Sequence, residues 1–482
     1  MIHLGAIFGI TGFLLLVEGI FILTGIPFSL WYGDSDIQSL LISGGITSLS
    51  GLGLYLPNRN KGNEIRKREG YLVVSTGWIV MSVFGALPFV IHGSIPSFTD
   101  AFFETMSGFT TTGASILNDI ESIPHGLLYW RSLTQWLGGM GIIVFTLAIL
   151  PILGIGGMQL FVAEVPGPSK DKIHPRIKET AKRLWGIYAI YTLAEILLLM
   201  IGGMSFYDAL NHAFTTMATG GFSTKQASIA AFDNPFIHYV IIIFMFAAGM
   251  NFTLHYRIIH GDFKSLKLND EFKFYAKVIL IVGLVIGIVH VLTDYAGVER
   301  SFRDSLFQTV SIVTTTGYVT ADYELWGAFF QLLFFLLLFT GGCAGSTGGG
   351  IKMVRHLILF RNSFQELRRL IHPRAVIPVR FNKNAISSDN VSNIYAFFLF
   401  YIAIFVIGTL ALSLLGVDFL SSIGAVATSL GNVGPGIGSV GPSYNFSHLP
   451  DAGKWILSFM MLMGRLELFT VLILFSPSFW KK

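Results

Sequence analysis

From Gly70 to Ile91 the chain reads GYLVVSTGWIVMSVFGALPFVI, a run with no charged residue. As a helix it would be about 33 Å long, enough to cross a hydrocarbon core of about 30 Å. Ile237 to Leu254, IHYVIIIFMFAAGMNFTL, has the same character, and about ten such spans recur along the 482 residues. Lipid offers no partner to a free N–H or C=O, so runs of this kind must be helices that bond their own backbone. Charge is correspondingly scarce, at 12% of residues, about half the share of an ordinary soluble domain. These features predict an all-α integral membrane protein. The first span, near residues 3–27, has no basic segment before it, is too long for the apolar part of a signal peptide and lacks a small-residue cleavage pattern, so a retained helix is expected.

Charge distribution orients the spans. Of the 32 Lys and Arg, 26 fall in five places: residues 59–68, 170–183, 257–277, 352–383, and the pair Lys481 and Lys482. The positive-inside rule puts all five on the cytoplasmic side. The opposite loops carry acids, among them Asp100, Asp119, Glu121, Asp208, Asp322, Glu324 and Asp418. An acidic outer face would concentrate cations modestly, and equally the single acids can be plain solvated loop residues. A single cysteine, Cys343, excludes an intrachain disulfide.

Aligned without gaps, three outer segments agree: SFTDAFFETMSGFTTTG (97–113), SFYDALNHAFTTMATGG (205–221) and SFRDSLFQTVSIVTTTG (301–317). A fourth, DFLSSIGAVATSLGNVG (418–434), fits more loosely. Apolar spans flank each copy. The chain therefore divides into two N-terminal helices (1–69) and four units at 70–166, 167–263, 264–383 and 384–482.

Within a unit, Asp100, Asp208 and Asp304 follow a Ser-Phe pair, where either the Ser or the Asp can cap a helix start. About ten apolar or small residues then lead to a Thr/Gly break. Such a segment is too short to span the membrane, so it is expected to enter from outside and stop midway. Irregular backbone at that depth persists only where protein buries it or where it lines a watery path. Gly113, Gly221, Gly317 and Gly434 allow backbone angles that other residues resist. Four such segments on one axis would present rings of carbonyls in place of a hydration shell, with helix C-termini aimed inward, and both features favour a cation. The candidate ligands are Thr110, Thr111, Thr112 and Gly113, then Ala218, Thr219, Gly220 and Gly221, then Thr314, Thr315, Thr316 and Gly317, and finally Gly431, Asn432, Val433 and Gly434. Any one copy taken alone reads equally as small residues at a helix contact.

With these repeats, WLGGMGIIV (136–144), AEVPGPSKDKIHPRI (163–177) and GGCAGSTGGGIK (341–352) resemble the Trk/Ktr/HKT superfamily of potassium transporters, in its bacterial TrkH branch, over essentially the whole chain. The resemblance implies a pore-forming subunit of the cytoplasmic membrane, in which helix, re-entrant loop and helix repeat four times around a central pore behind two extra helices. It implies potassium as the transported ion, with rubidium also passing. It also implies a homodimer with one pore per protomer, and a cytosolic TrkA-type ring that binds nucleotides and gates the pore. In the family, serine at the first filter glycine accompanies sodium transport, so Gly113 points to potassium. The second and fourth segments, ATGGF and GNVGP, depart from the potassium-channel TVGYG.

GGCAGSTGGGIK interrupts an apolar span. Lys352 does not directly follow a glycine as a phosphate-binding loop requires. A glycine kink needed for packing is one reading. The resemblance implies the other, an intramembrane loop obstructing the path, formed by Gly345, Ser346, Thr347, Gly348 and Gly349 with Lys352. Arg465, in MMLMGRLELF, is a mid-span charge, which insertion scales price at about 2.5–3.5 kcal/mol. It either bonds Glu467 or a carbonyl or, as the resemblance implies, projects into the path, where at ~6 Å and a dielectric of ~20 it would repel a cation by roughly 3 kcal/mol. Neither H-E-x-x-H nor G-x-S-x-G occurs, so no enzyme is expected. Membrane lipids, and no nucleic acid, are the other expected contacts. The alternative is a secondary active carrier coupling potassium to protons or sodium. It would want an ionisable residue at the site, and the four segments' Thr/Gly ends contain none.

Overall fold

The computed structural model describes residues 3–59, 67–141, 177–293, 295–375 and 377–481. The helices of ten residues or more are α1 Leu4–Leu23, α2 Ile37–Tyr55, α3 Lys67–Gly85, α4 Phe98–Phe109, α5 His125–Trp136, α6 Ile177–Ile201, α7 Phe206–Met217 and α8 Pro235–Ala248. They continue as α9 Asp270–Leu292, α10 Val298–Val313, α11 Ala328–Leu337, α12 Met353–Ile371, α13 Ser388–Leu414, α14 Phe419–Gly431 and α15 Asp451–Arg465. The fold is that of a multi-pass helical membrane protein. Among the described residues six helical stretches are long and apolar enough to cross a membrane, and eight if each sharply bent pair counts as one span. That is fewer than the ten expected. The span after α5 runs beyond the described residues, and the span through α11 and α12 is broken by the glycine-rich loop.

Helices α1 and α2 pack antiparallel along small residues. A methyl group added at Gly12 would lie 2.6 Å from the Tyr55 nitrogen, and one at Gly51 would lie 2.7 Å from the Gly12 carbonyl oxygen. Without a hydrophobic drive between helices in lipid, such close approach supplies the attraction.

Helices α4, α7, α10 and α14 are the four short outer helices, each packed against the helices on either side of it in the chain or from an adjoining unit. Ser97 caps α4 and Ser205 caps α7 through the Asp100 and Asp208 N–H groups, as the Ser-Phe-x-Asp spacing predicts. Asp418 caps α14, and hydrogen bonds from Ser421 hold its carboxyl below the usual carboxylate range. In the third copy the structure corrects the expectation. Helix α10 starts earlier, with Gly297 at the cap, so Ser301 and Asp304 lie inside it and buried. Asp304 there meets Arg300 at 3.5 Å, one turn away, and the Ser301 hydroxyl bonds the Ala296 carbonyl.

The helices that follow these segments all break. A π-turn at Leu137–Gly141 follows α5, and Gly249–Asn251 separates α8 from Phe252–Ile259 with a bend of 104°. The loop of residues 338–352 separates α11 from α12, and residues 466–468 separate α15 from Phe469–Phe475 with a bend of 109°. Among the described residues the all-α expectation has one exception, a hairpin in which Arg380 and Phe381 pair with Ala385 and Asn384 across Asn382 and Lys383, both left-handed as a tight hairpin turn requires.

Candidate functional site

Each short outer helix ends in the same way. The N–H groups of Thr112, Gly220, Thr316 and Val433 bond the carbonyls of Ser107, Thr215, Ser311 and Thr428, five residues back, at 2.8–3.0 Å. The residue before each, Thr111, Thr219, Thr315 or Asn432, bonds three residues back and has φ between 52° and 61°. This is the paired termination in which a left-handed residue stops a helix, a place normally taken by glycine. Asparagine tolerates that conformation, whereas a β-branched threonine there is a true outlier costing about 1–3 kcal/mol. Two residues on, Gly113, Gly221, Gly317 and Gly434 are left-handed again, with φ from 75° to 103°.

The four ends close on one another in chain order. A methyl group added at Gly113 would collide with the Gly220 carbonyl oxygen, one at Gly221 with that of Thr316, and one at Gly317 with that of Val433. One at Gly434 would lie 2.9 Å from the carbonyl oxygen of Thr112, which completes the circle. Each glycine therefore faces the carbonyl that immediately precedes the next segment's glycine. All four glycines also line a single cavity of about 90 Å³ on the outer side of the ring. Within the ring Thr110 meets Thr112, and Thr314 meets Thr316, hydroxyl to hydroxyl at 2.8 Å. Asn432 donates to the Thr112 hydroxyl (3.0 Å) and to the Met461 carbonyl (2.9 Å).

Polar side chains brace the ring from behind. The Gln135 amide donates to the Gly220 carbonyl at 2.7 Å and accepts from the Phe222 N–H at 3.0 Å. Arg131 is buried against Glu104 (2.7 Å), donates to the Ser223 carbonyl and stacks on Phe222, while Glu104 also accepts the Ile116 N–H. A buried pair satisfied on every side is tolerable, but one left without its partner is not.

Beneath the third and fourth segments lies the glycine-rich loop. A methyl group at Gly348 would lie 2.9 Å from the Thr314 carbonyl oxygen, and one at Gly349 would lie 2.7 Å from Asn432 Cβ. The Gly349 N–H donates to the Thr315 hydroxyl at 2.7 Å. Cys343 donates its N–H to the Gly249 carbonyl, Gly345 accepts from Phe252 N–H, and the Thr347 hydroxyl donates to Ala248. The Lys352 ammonium folds back onto the Gly348 and Gly349 carbonyls, and the Gly348 N–H donates to the Ser346 hydroxyl at 3.3 Å. Arg465 bonds carbonyls: Thr347 of the loop at 2.8 Å and, on the far side, Gly138 and Gly139 of the π-turn. Its sequence neighbour Glu467 pairs with Arg355 instead. Arg465 thus fastens the loop to the break after α5.

A profile of the TrkH family, described as cation transport protein, matches residues 36–482. The chain belongs to the TrkH family. It is 42% identical to the Trk system potassium uptake protein TrkH of Escherichia coli K12 over the full length of both chains, and 35% identical to the same organism's Trk system potassium uptake protein TrkG over 99% of each. The crystal structure of the potassium transporter TrkH from Vibrio parahaemolyticus superposes with a TM-score of 0.90 at 38% identity, covering all of both chains. The family is one of transporters, not enzymes.

The structure of this family member brings together every candidate ring residue from Thr110 to Gly434 and every loop residue from Gly345 to Lys352, with Arg465 touching the loop. The segment 163–177, one basis of the resemblance, lies outside the described residues apart from Ile177, as does much of the basic cluster at 170–183. Sequence reasoning missed Glu104, Arg131 and Gln135, although two of these are charges set in apolar surroundings, the same signal that marked Arg465. The outer cavity also differs from expectation. Its charged lining residues are Arg131 and Lys225, and the outer acids stand back from it: Asp208 bonds Thr224 and Glu121 bonds the Gln226 N–H.

Proposed function

We propose that this protein takes up potassium across the bacterial cytoplasmic membrane through a carbonyl-lined selectivity filter, the ring built from Thr110–Gly113, Ala218–Gly221, Thr314–Gly317 and Gly431–Gly434. The repeat boundaries at residues 69, 166, 263 and 383 then delimit four units around one pore. The observation that carries this proposal is the repeated backbone. Four segments of different sequence adopt the same left-handed termination, three of them with a threonine strained into it, and meet in cyclic order around one outer cavity. Strain of this kind persists when surroundings enforce it, and it concentrates at functional sites. Backbone carbonyls select by geometry, so the side-chain differences at Gly220 and Asn432 are compatible with one filter.

The loop from Gly345 to Gly349, with Lys352 and Arg465, is the gate in this proposal. Its contacts under Thr314 and Asn432 and its three side-chain tethers support that role. A cytosolic TrkA-type subunit that binds nucleotides would move it, in a homodimer with one pore per protomer. Membership of a Trk system supports the partner, and the homodimer is carried over from the family resemblance alone.

The test is rubidium-86 uptake into potassium-loaded proteoliposomes, comparing wild type, Gly113→Ser and Arg465→Ala, with sodium as competitor and with or without an imposed proton gradient. Uptake driven by the ion gradient alone, lower discrimination against sodium in Gly113→Ser and faster uptake in Arg465→Ala are expected. Uptake that waits for a proton or sodium gradient and ignores Gly113→Ser would instead establish a coupled carrier.

A further inference from the structure

Irregular backbone leaves its N–H groups without helical partners, and at membrane depth each must find another. At the two ends of the glycine-rich loop a single atom meets this need. Glu271 Oε1 accepts the Ala344 N–H at 2.7 Å and the Val354 N–H at 3.0 Å. Glu271 is buried, in the first turn of α9, where Asn269 caps the helix and the macrodipole favours a carboxylate. Ala344 directly precedes the Gly345–Gly349 stretch and Val354 is the second residue of α12, so these two bonds hold the loop's flanks together as a clasp. The residue before it faces the other way. Asp270 accepts from Arg361 of α12 at 2.8 Å and from the Asn382 N–H in the turn of the 380–385 hairpin at 3.0 Å, while Asn382 accepts the Asp270 N–H at 2.8 Å.

We propose that Glu271 is a positioning residue of the gate, one carboxylate oxygen closing both ends of the glycine-rich loop, and that Asp270 beside it links this closure to the cytosolic hairpin. The inference rests on the loop being the gate. A displacement of the hairpin reaches the start of α9 through Asp270 and the loop ends through Glu271, a path of two adjacent residues. Bonds to an ionised acceptor are about twice as strong as neutral ones, so the clasp favours the closed loop. A neutral side-chain oxygen at the same place retains part of it.

Cys343, the only cysteine of the chain, lies buried beside Ala344 and supplies a built-in reporter. The experiment measures basal rubidium-86 uptake and the rate of N-ethylmaleimide labelling of Cys343 in proteoliposomes of the full chain. Glu271→Ala is expected to raise uptake about tenfold, equivalent to about 1.4 kcal/mol, to speed labelling in step, and to leave the rubidium-to-sodium ratio unchanged. Glu271→Gln, whose amide oxygen still accepts, should recover most of the closure. If Glu271→Ala does not assemble, Glu271→Asp, one methylene short of its two N–H partners, carries the same expectation. Arg465→Ala separates the two levels of the argument. Faster uptake in Arg465→Ala with Glu271→Ala unchanged in uptake and labelling overturns the clasp and leaves the gate standing. No rise in either variant removes the gate as well. Equal rises in Glu271→Ala and Glu271→Gln would also overturn the clasp, since acceptor geometry would then be irrelevant.

Discussion

The ring and the loop beneath it are both buried, irregular and rich in glycine, yet they are held by opposite means. In the ring, backbone meets backbone: each glycine lies against the carbonyl of the next segment, and the last meets the first. No single side chain can release it. In the loop, side chains add to backbone bonds at Gly249 and Phe252, with Glu271 at its ends, Thr315 above Gly349, Arg465 on Thr347 and its own Lys352 folded back on Gly348. Closed backbone packing suits a part that must keep one geometry. A few charged tethers suit a part with two positions, because each bond can be exchanged for another, or for water, at a net difference of about 1–3 kcal/mol.

Gly317→Ala should break the ring outright. Its methyl group would collide with the Val433 carbonyl oxygen and sit 2.8 Å from Pro435 Cδ, at a φ of 78° that alanine resists. Backbone that is itself locked cannot give way, so uptake of rubidium-86 is expected to fall by about a hundredfold or more, the effect of roughly 3 kcal/mol of misplaced geometry. Protein that assembles normally yet transports at the wild-type rate would remove the ring from the transport path.

Much of this was legible in advance because it is repeated or long. Apolar runs announce helices, and four Thr/Gly breaks at matching places announce a common element even where the fourth copy diverges. What could not be read is single-residue detail. Threonine carries no signal for a left-handed helix stop, so the conformation of Thr111, Thr219 and Thr315 emerges only from the mutual packing that enforces it. The early start of α10 depends on Val298–Arg300 extending the helix past a serine that caps its two relatives, a tertiary preference over a local one. The roles of Glu104, Arg131 and Glu271 turn on partners far away in sequence, which spacing along one segment does not reveal.

The fourth segment tests whether the ring needs only backbone. Asn432 combines the left-handed turn with two hydrogen bonds, to Thr112 and to Met461. Asn432→Gly keeps the turn and loses the bonds, while Asn432→Ala loses both. Preference for rubidium over sodium in competition assays is expected to drop about fivefold in the glycine variant and about thirtyfold in the alanine variant, with about 1 kcal/mol for the bonds and a further 1 kcal/mol for the turn. Equal losses would mean that the side-chain bonds alone matter there, and the ring would be less purely a backbone construction.

The smallest expected effect lies in the loop. Gly345 has φ 77°, and an added methyl group would sit 3.1 Å from the Asn251 amide nitrogen, the end of a side chain rather than backbone, whose oxygen accepts the Thr253 N–H at 2.7 Å. Gly345→Ala therefore strains the loop's present conformation by about 1 kcal/mol without touching the ring. A two-position element answers such strain by shifting its population, so basal rubidium uptake should rise about fivefold. Selectivity against sodium should stay at the wild-type value, because no contact of Gly113, Gly221, Gly317 or Gly434 changes. A substitution of the same kind abolishes transport at Gly317 and accelerates it at Gly345 if the two regions differ as their contacts indicate. Loss of uptake at Gly345 as well would mean that the loop belongs to the same locked framework as the ring, and that the moving part lies elsewhere.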